Sequence, residues 1–109
     1  MTLTALNTAW DFKENPPEIA LLPLACFEPH SQNLPLGTDL FLMSAIAQQI
    51  ADNLKAPTFL LSTWPYGTSG YLLGQPGVIS LEFQTLWHIV RDIAESLNER
   101  GIHKIVVLN

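Results

Sequence analysis

The segment Ile19–Asp39 reads IALLPLACFEPHSQNLPLGTD. It opens with a continuous apolar run, Ile19 to Leu24, bounded by turn-forming residues. Such a run fits a strand buried on both faces. Pro23 lacks the N–H that a ladder needs, which places it near the strand's C-terminal end. A polar loop, Cys26 to Thr38, follows. Thr38 or Asp39 then suits the N-cap of a helix over roughly Asp39–Leu54. Leu40, Met43, Ile46, Ala47, Ile50, Ala51 and Leu54 fall on one face of that helix at helical spacing.

Downstream the pattern repeats. Pro57 stops the helix, and Thr58–Thr63 (TFLLST) is a second buried-strand candidate. Trp64–Gly77 is a long loop that holds four of the six glycines, and a loop of that length inside a compact domain is usually functional. Val78–Leu81 is extended, with Ser80 as a possible N-cap. A helix over about Glu82–Arg100 carries the stripe Leu86, Ile89, Val90, Ile93, Ala94 and Leu97. Gly101 sits where a C-cap belongs, and Ile105–Leu108 is a third apolar strand. Upstream, Met1–Trp10 is weakly helical and Asp11–Pro17 reads as a loop. The order strand, helix, strand, helix, strand argues for a parallel α/β sheet. No helix follows the last strand, although a parallel sheet needs both faces covered. The chain therefore reads as a single domain, 1–109, that looks like the first half of a larger α/β domain.

Composition narrows the class. Of 109 residues, 48% are apolar and only 14% charged, against a usual quarter. So low a charge implies that some apolar surface is covered by something outside the chain. Ten acidic and five basic residues give a net charge of −5, which does not make the basic face that nucleic-acid binding requires. No apolar run approaches the roughly 18 residues of a membrane span, and no signal peptide is evident. A single cysteine, Cys26, excludes an intramolecular disulfide. These features fit a soluble cytoplasmic protein.

Ligands of open α/β sheets bind beyond the carboxyl ends of the strands. The loop after the first strand holds Glu28 and His30, which point to one side if extended, and Asp39 at the next helix start can turn back to them. One imidazole and two carboxylates suit zinc or manganese. The same residues also read as a solvated loop, and Asp39 as a capping residue that complements the helix dipole. The glycine-rich loop has neither phosphate-binding spacing. Cys26 reads as a buried structural thiol, His88 as a boundary residue, and His103 as a residue near a helix end. Trp64 and Tyr66 either line a pocket or simply pack.

The motifs resemble the creatininase (creatinine amidohydrolase) family. Its first motif, roughly LPxGSxEQHGPHLPLGTD, corresponds without a gap to LPLACFEPHSQNLPLGTD, Leu22–Asp39. Its second, close to PYGxSxEHxxFPGTISL, corresponds to PYGTSGYLLGQPGVISL, Pro65–Leu81. The ending RGIHKIVVLN is similar to the family's (R)HGFRRLVLVN. The resemblance implies a three-layer α/β fold and a two-metal amidohydrolase. Glu28 would bind one metal, His30 the other, and Asp39 both. A hydroxide held on the metals would attack a non-peptide or cyclic C–N amide bond in a small molecule. Ser69 matches a family serine and is the expected substrate contact, and a homohexamer is the implied assembly.

Three departures qualify this. The family's GPH is Ser31-Gln32-Asn33 here, and its EH is Tyr71-Leu72. The sequence ends at Asn109, before the GHGGN-like segment that supplies further ligands in the family. The expectation is a truncated hydrolase half completed by a second polypeptide. The alternative is an inactive structural or oligomerisation module, and a third reading is a small-ligand binding module without metal.

Overall fold

A computed structural model describes residues 1–109. The elements are β1 (Thr2–Leu3), α1 (Ala9–Glu14), β2 (Ile19–Pro23), α2 (Thr38–Asn53), β3 (Thr58–Leu60), a 3-10 turn (Gly70–Leu72), α3 (Phe83–Glu99) and β4 (Lys104–Leu108). All strands are parallel, in the order β1-β3-β2-β4. Ile19, Ala20 and Leu21 of β2 stand opposite Thr58, Phe59 and Leu60, and all five β2 residues are in register with Lys104–Leu108. The expected parallel α/β sheet is therefore present, with one strand more than the sequence pattern indicates.

β2 is the centre. Its side chains alternate between two faces. Leu21 packs with Ala47 and Ala51 of α2 and Leu60 of β3. Ala20, on the other face, packs with Leu97 of α3 and Ile102. Ala20, Leu21 and Leu22 have at most 1% of their surface exposed, so the strand is covered on both faces as its apolar run requires. Pro23 ends β2, where the missing N–H breaks no ladder.

The N-terminal region differs from expectation. Thr2–Leu3 is a strand paired with β3, not weakly helical chain. Ala9–Glu14, which overlaps the expected loop, is helical because Thr8 and Asp11 form a reciprocal capping box. Thr8 N–H donates to Asp11 Oδ2 at 2.8 Å, and Asp11 N–H donates to Thr8 Oγ1 at 3.1 Å. These bonds hold the Asp11 carboxyl below its ordinary pKa. Phe12 then meets Phe59 edge to face, with centroids 5.4 Å apart.

The helix ends also show corrections. Gly37, not Thr38 or Asp39, is the N-cap of α2, and no side chain caps it. The Thr38 hydroxyl instead donates to the Pro35 carbonyl at 2.6 Å. Ser80 does not cap α3, since Glu82 occupies the N-cap position. The other end is as anticipated. Gly101 has φ +85°, its N–H donates to the Asn98 carbonyl, and Ile102 N–H donates to the Leu97 carbonyl. This is a Schellman arrangement, and Leu97 and Ile102 share its apolar contact.

The molecule is open. Its radius of gyration is 15.3 Å, against about 13 Å for a self-contained domain of this length. Its surface is 7141 Å², against about 6,000 Å² for a folded monomer of this mass. The excess is apolar in part. In α2 only Ala47 and Ala51 of the expected stripe are buried, and Ile46 is 48% exposed. β4 lies at the sheet edge, with Val106 and Val107 exposed on opposite faces. No helix of the structure is long and apolar enough to cross a membrane.

This burial pattern separates two substitutions. Leu21→Ala is expected to cost about 2–5 kcal/mol, the range for a truncated core leucine. Val107→Ala is expected to cost about 0.5 kcal/mol or less. Urea unfolding midpoints check both, and equal losses would mean that β4 is covered as well as β2.

Candidate metal centre

The centre is built from the loops that leave the C-terminal ends of β2 and β3. Trp64 N–H donates to the Pro23 carbonyl, and Ala25 N–H to the Trp64 carbonyl, so the two exits run side by side. Farther out, Phe27 and Ile79 form an antiparallel bridge. Trp64 and Tyr66 pack here. The Trp64 indole N–H donates to the Tyr66 carbonyl at 2.7 Å, and the Tyr66 ring lies 5.8 Å from that of Phe27.

The first loop folds back on itself. Glu28 N–H donates to the Leu36 carbonyl, and His30 bridges Leu34. Ser31, at the tip, has φ +60°, a left-handed conformation uncommon for a residue with a side chain. This hairpin brings Glu28 and His30 against the first turn of α2, where Asp39 sits. One donor atom from each of Glu28, His30 and Asp39 lies within 4.8 Å of the other two. His30 Nε2 is 3.2 Å from Asp39 Oδ2. The three residues singled out from sequence are thus brought together.

Their burial differs in an informative way. Glu28 is only 9% exposed, and its Oε2 has no hydrogen-bond partner. A buried oxygen without a partner is costly, and a cation shared with His30 and Asp39 would satisfy it. The donor set, one imidazole and two carboxylates, fits zinc or manganese. Three donors leave coordination positions for water or substrate.

The second loop closes over this cluster. Gly67 approaches Cys26 so closely that a Cβ there would lie 2.7 Å from Cys26 Sγ and 3.0 Å from the Ala25 carbonyl. Burial pushes the Cys26 thiol above its usual pKa. The Ser69 hydroxyl opposes that shift, and the Glu28 and Asp39 carboxylates add to it. Cys26 is half-buried. Ser69, the expected substrate contact, has no exposed surface. Its N–H donates to Ser80 Oγ at 2.8 Å, and its own hydroxyl has no partner of normal hydrogen-bond geometry. A direct contact between Ser69 and a ligand requires the loop to shift.

Two features were not assigned from sequence. Tyr71, in the 3-10 turn, is exposed and its phenol faces Glu28, whose charge pushes the Tyr71 pKa up. A cleft of about 810 Å³ opens between the loops, with Gln32 and Gln75 among its walls. The residues 31–33 and 71–72, where the motifs depart from the family pattern, are the only signal that pointed to this surface. The remaining histidines lie on α3 or just after it. His88 is exposed beside Trp87, and His103 Nδ1 bonds to Asn98 Oδ1 near the helix end.

A parallel sheet with a carboxylate–imidazole cluster at its strand ends defines an α/β protein whose donor set could hold a divalent cation. The chain belongs to the creatininase family, described as creatinine amidohydrolase, which it matches over residues 4–109. It is 27% identical over 96 residues to creatinine amidohydrolase of Pseudomonas putida, covering 84% of this chain and 36% of that protein. It is 26% identical over 93 residues to 3-dehydro-scyllo-inosose hydrolase of Thermotoga maritima, covering 84% of this chain and 29% of that one. The chain thus spans about a third of the length of these curated relatives. Among solved structures, a manganese form of creatininase superposes with a TM-score of 0.86 at 22% identity, over 100% of this chain and 45% of that one. A Zn–Zn form of a mutant creatininase gives the same values. The fold is that of these structures, and the family's named relatives are hydrolases.

The tight approach of the two loops yields a test. Gly67→Ala is expected to destabilise the chain by roughly 1–3 kcal/mol through overpacking. Adding Cys26→Ala removes the sulfur contact and should recover part of that loss. Thermal unfolding of the single and double variants reads this directly. A Gly67→Ala chain as stable as the parent would show that the loops do not meet here.

Proposed function

We propose that this chain carries the metal-holding part of a divalent-metal amidohydrolase that cleaves a non-peptide or cyclic C–N amide bond in a small molecule. The observation that carries the proposal is the convergence of Glu28, His30 and Asp39 donor atoms within 4.8 Å, one of them next to a buried oxygen without a partner. The names of both relatives support hydrolysis, and that of creatinine amidohydrolase supports an amide bond as the target. The manganese and zinc forms of the structural neighbours support the choice of ion.

In this reading Glu28, His30 and Asp39 hold the ion. A bound divalent ion supplies Lewis-acid polarisation of the amide carbonyl and activation of water. The chain's residues do the rest. The Phe27–Ile79 bridge fixes the spacing of the two loops, so substrate meets a preformed surface. The hairpin of residues 28–36 and the first turn of α2 hold the donors at fixed angles. The Tyr71 phenol, exposed and close enough to Glu28 for that charge to raise its pKa, is a further hydrogen-bond donor on the second loop. The exposed apolar side chains, among them Phe41, Leu42 and Trp87, fit a chain that works as part of a larger assembly. A homo-oligomer is the proposed form.

Elemental analysis of the purified chain, together with its native mass, tests this. One or two zinc or manganese ions per chain are expected in the parent protein. His30→Ala and Asp39→Asn should each weaken metal affinity by at least about tenfold to a hundredfold. A folded parent chain that takes up no metal even at excess would overturn the proposal and leave a structural module as the better account.

A further inference from the structure

The cleft between the two loops says something about the substrate. It is walled by Ser31, Gln32 and Leu34 of the first loop and by Leu72, Gln75 and Gly77 of the second, among others. Pro29 and Ser31 on its wall flank His30, and Leu36, also on it, accepts the Glu28 N–H. The cleft therefore adjoins the proposed metal centre. No Asp, Glu, Lys, Arg or His lines it.

The five basic residues all lie elsewhere. Lys13 is on α1, Lys55 follows α2, Arg91 is on α3, Arg100 caps its end, and Lys104 begins β4. In a parallel sheet the helix ends and strand starts lie at the edge opposite the strand C-termini. Lys55, Arg100 and Lys104 are thus on the far side from the cleft. Away from the proposed ion, a carboxylate or phosphate seated between the cleft walls would shed its water and find no side-chain cation to replace it, which is unfavourable.

The polar side chains that the cleft does offer are two carboxamides and the Ser31 hydroxyl, which already accepts the Asn33 N–H. Gln32 and Gln75 stand on opposite loops, both exposed. A carboxamide presents a donor and an acceptor side by side, which is the complement of the N–H and C=O edge of another amide. Gln32 also sits in the stretch Ser31-Gln32-Asn33, one of the two places where the motifs depart from the family pattern.

We propose that this cleft selects uncharged amides over anionic ones, with Gln32 and Gln75 reading the substrate's amide edge. The inference rests on the function proposed above for the identity of the reacting bond. Its selectivity, however, is a property of the cleft and is readable without turnover.

The test is ligand-observed saturation-transfer NMR on the 109-residue chain. Hydantoin and hydantoin-5-acetate serve as probes, because they share a ring and differ in charge. Hydantoin should bind at least about tenfold more tightly than the acetate, a discrimination that one unpaired polar group can supply. Gln32→Leu with Gln75→Leu should abolish most of the hydantoin signal while circular dichroism shows the chain folded. Equal or tighter binding of the acetate would overturn the proposal. So would hydantoin binding unchanged in the double leucine variant, or no hydantoin binding by the folded parent. A parent chain that takes up no metal even at excess yet still prefers hydantoin would sink the metal reading and leave the cleft's selectivity standing.

Discussion

The pairing of β2 on both edges and its burial on both faces is the constraint from which the rest of the molecule follows. A parallel strand can sit between two neighbours only if helices cover it above and below. α2 and α3 do this from opposite sides, through Leu21 on one face and Ala20 on the other. The chain leaves β2 toward one face and leaves β3 toward the other. The two exit loops therefore part at the C-terminal edge of the sheet, at a place where the strand order also reverses. Open α/β sheets bind ligands at such a place. Glu28, His30 and the cleft lie there because the topology opens a crevice there.

Within that crevice the loops are held by backbone contacts more than by side-chain packing. The Trp64 and Ala25 hydrogen bonds, the Phe27–Ile79 bridge and the close approach of Gly67 to Cys26 tie one loop to the other. This arrangement keeps Glu28 buried and ionisable groups crowded around it, a costly state for a chain with only ten of its residues in an apolar core. Such a cost is borne where a site must exist before its ligand arrives. The orphaned Glu28 oxygen is the most local expression of that trade.

Much of this was legible in the sequence, and the reasons are physical. The apolar runs at Ile19–Leu24 and Ile105–Leu108 identified strands because double burial leaves no room for alternation. The α3 terminus was legible because Gly101 alone tolerates φ +85° there. The Glu28, His30 and Asp39 cluster was singled out mainly through the resemblance of Leu22–Asp39 to a family motif, since the spacing alone reads equally as a solvated loop and a helix cap. The N-terminal strand was not. Two residues, Thr2 and Leu3, have no periodicity to read, and their pairing with β3 is decided by tertiary contact. α1 was missed because its capping box hides in a stretch whose asparagine and prolines read as loop. The cleft was hinted at only by the departures at residues 31–33 and 71–72, because Gln32 and Gln75 are far apart in sequence and no local pattern reports that the two loops meet.

The apolar stripes carry a different lesson. Helical periodicity marked seven positions on α2, and the chain itself buries two of them. The other five did not mark the wrong face, since Ile50 packs against the same cluster as Ala47. Periodicity reports which surface avoids water, and it says nothing of whose atoms cover that surface. Here the helices lie over β2 and β3, and β4 is covered only in part: Ile105 and Leu108 reach the two clusters, while Val106 and Val107 are exposed. An edge strand of that kind is a liability for a protein that works alone. It is an asset for one whose site is finished by additional structure, because a strand added beside β4 would extend the same C-terminal edge on which Glu28, His30 and Asp39 stand. The open surface and the three-donor cluster are thus consistent with each other: both belong to a fold that gathers its carboxylate and imidazole donors on one edge and leaves its flank free for more sheet.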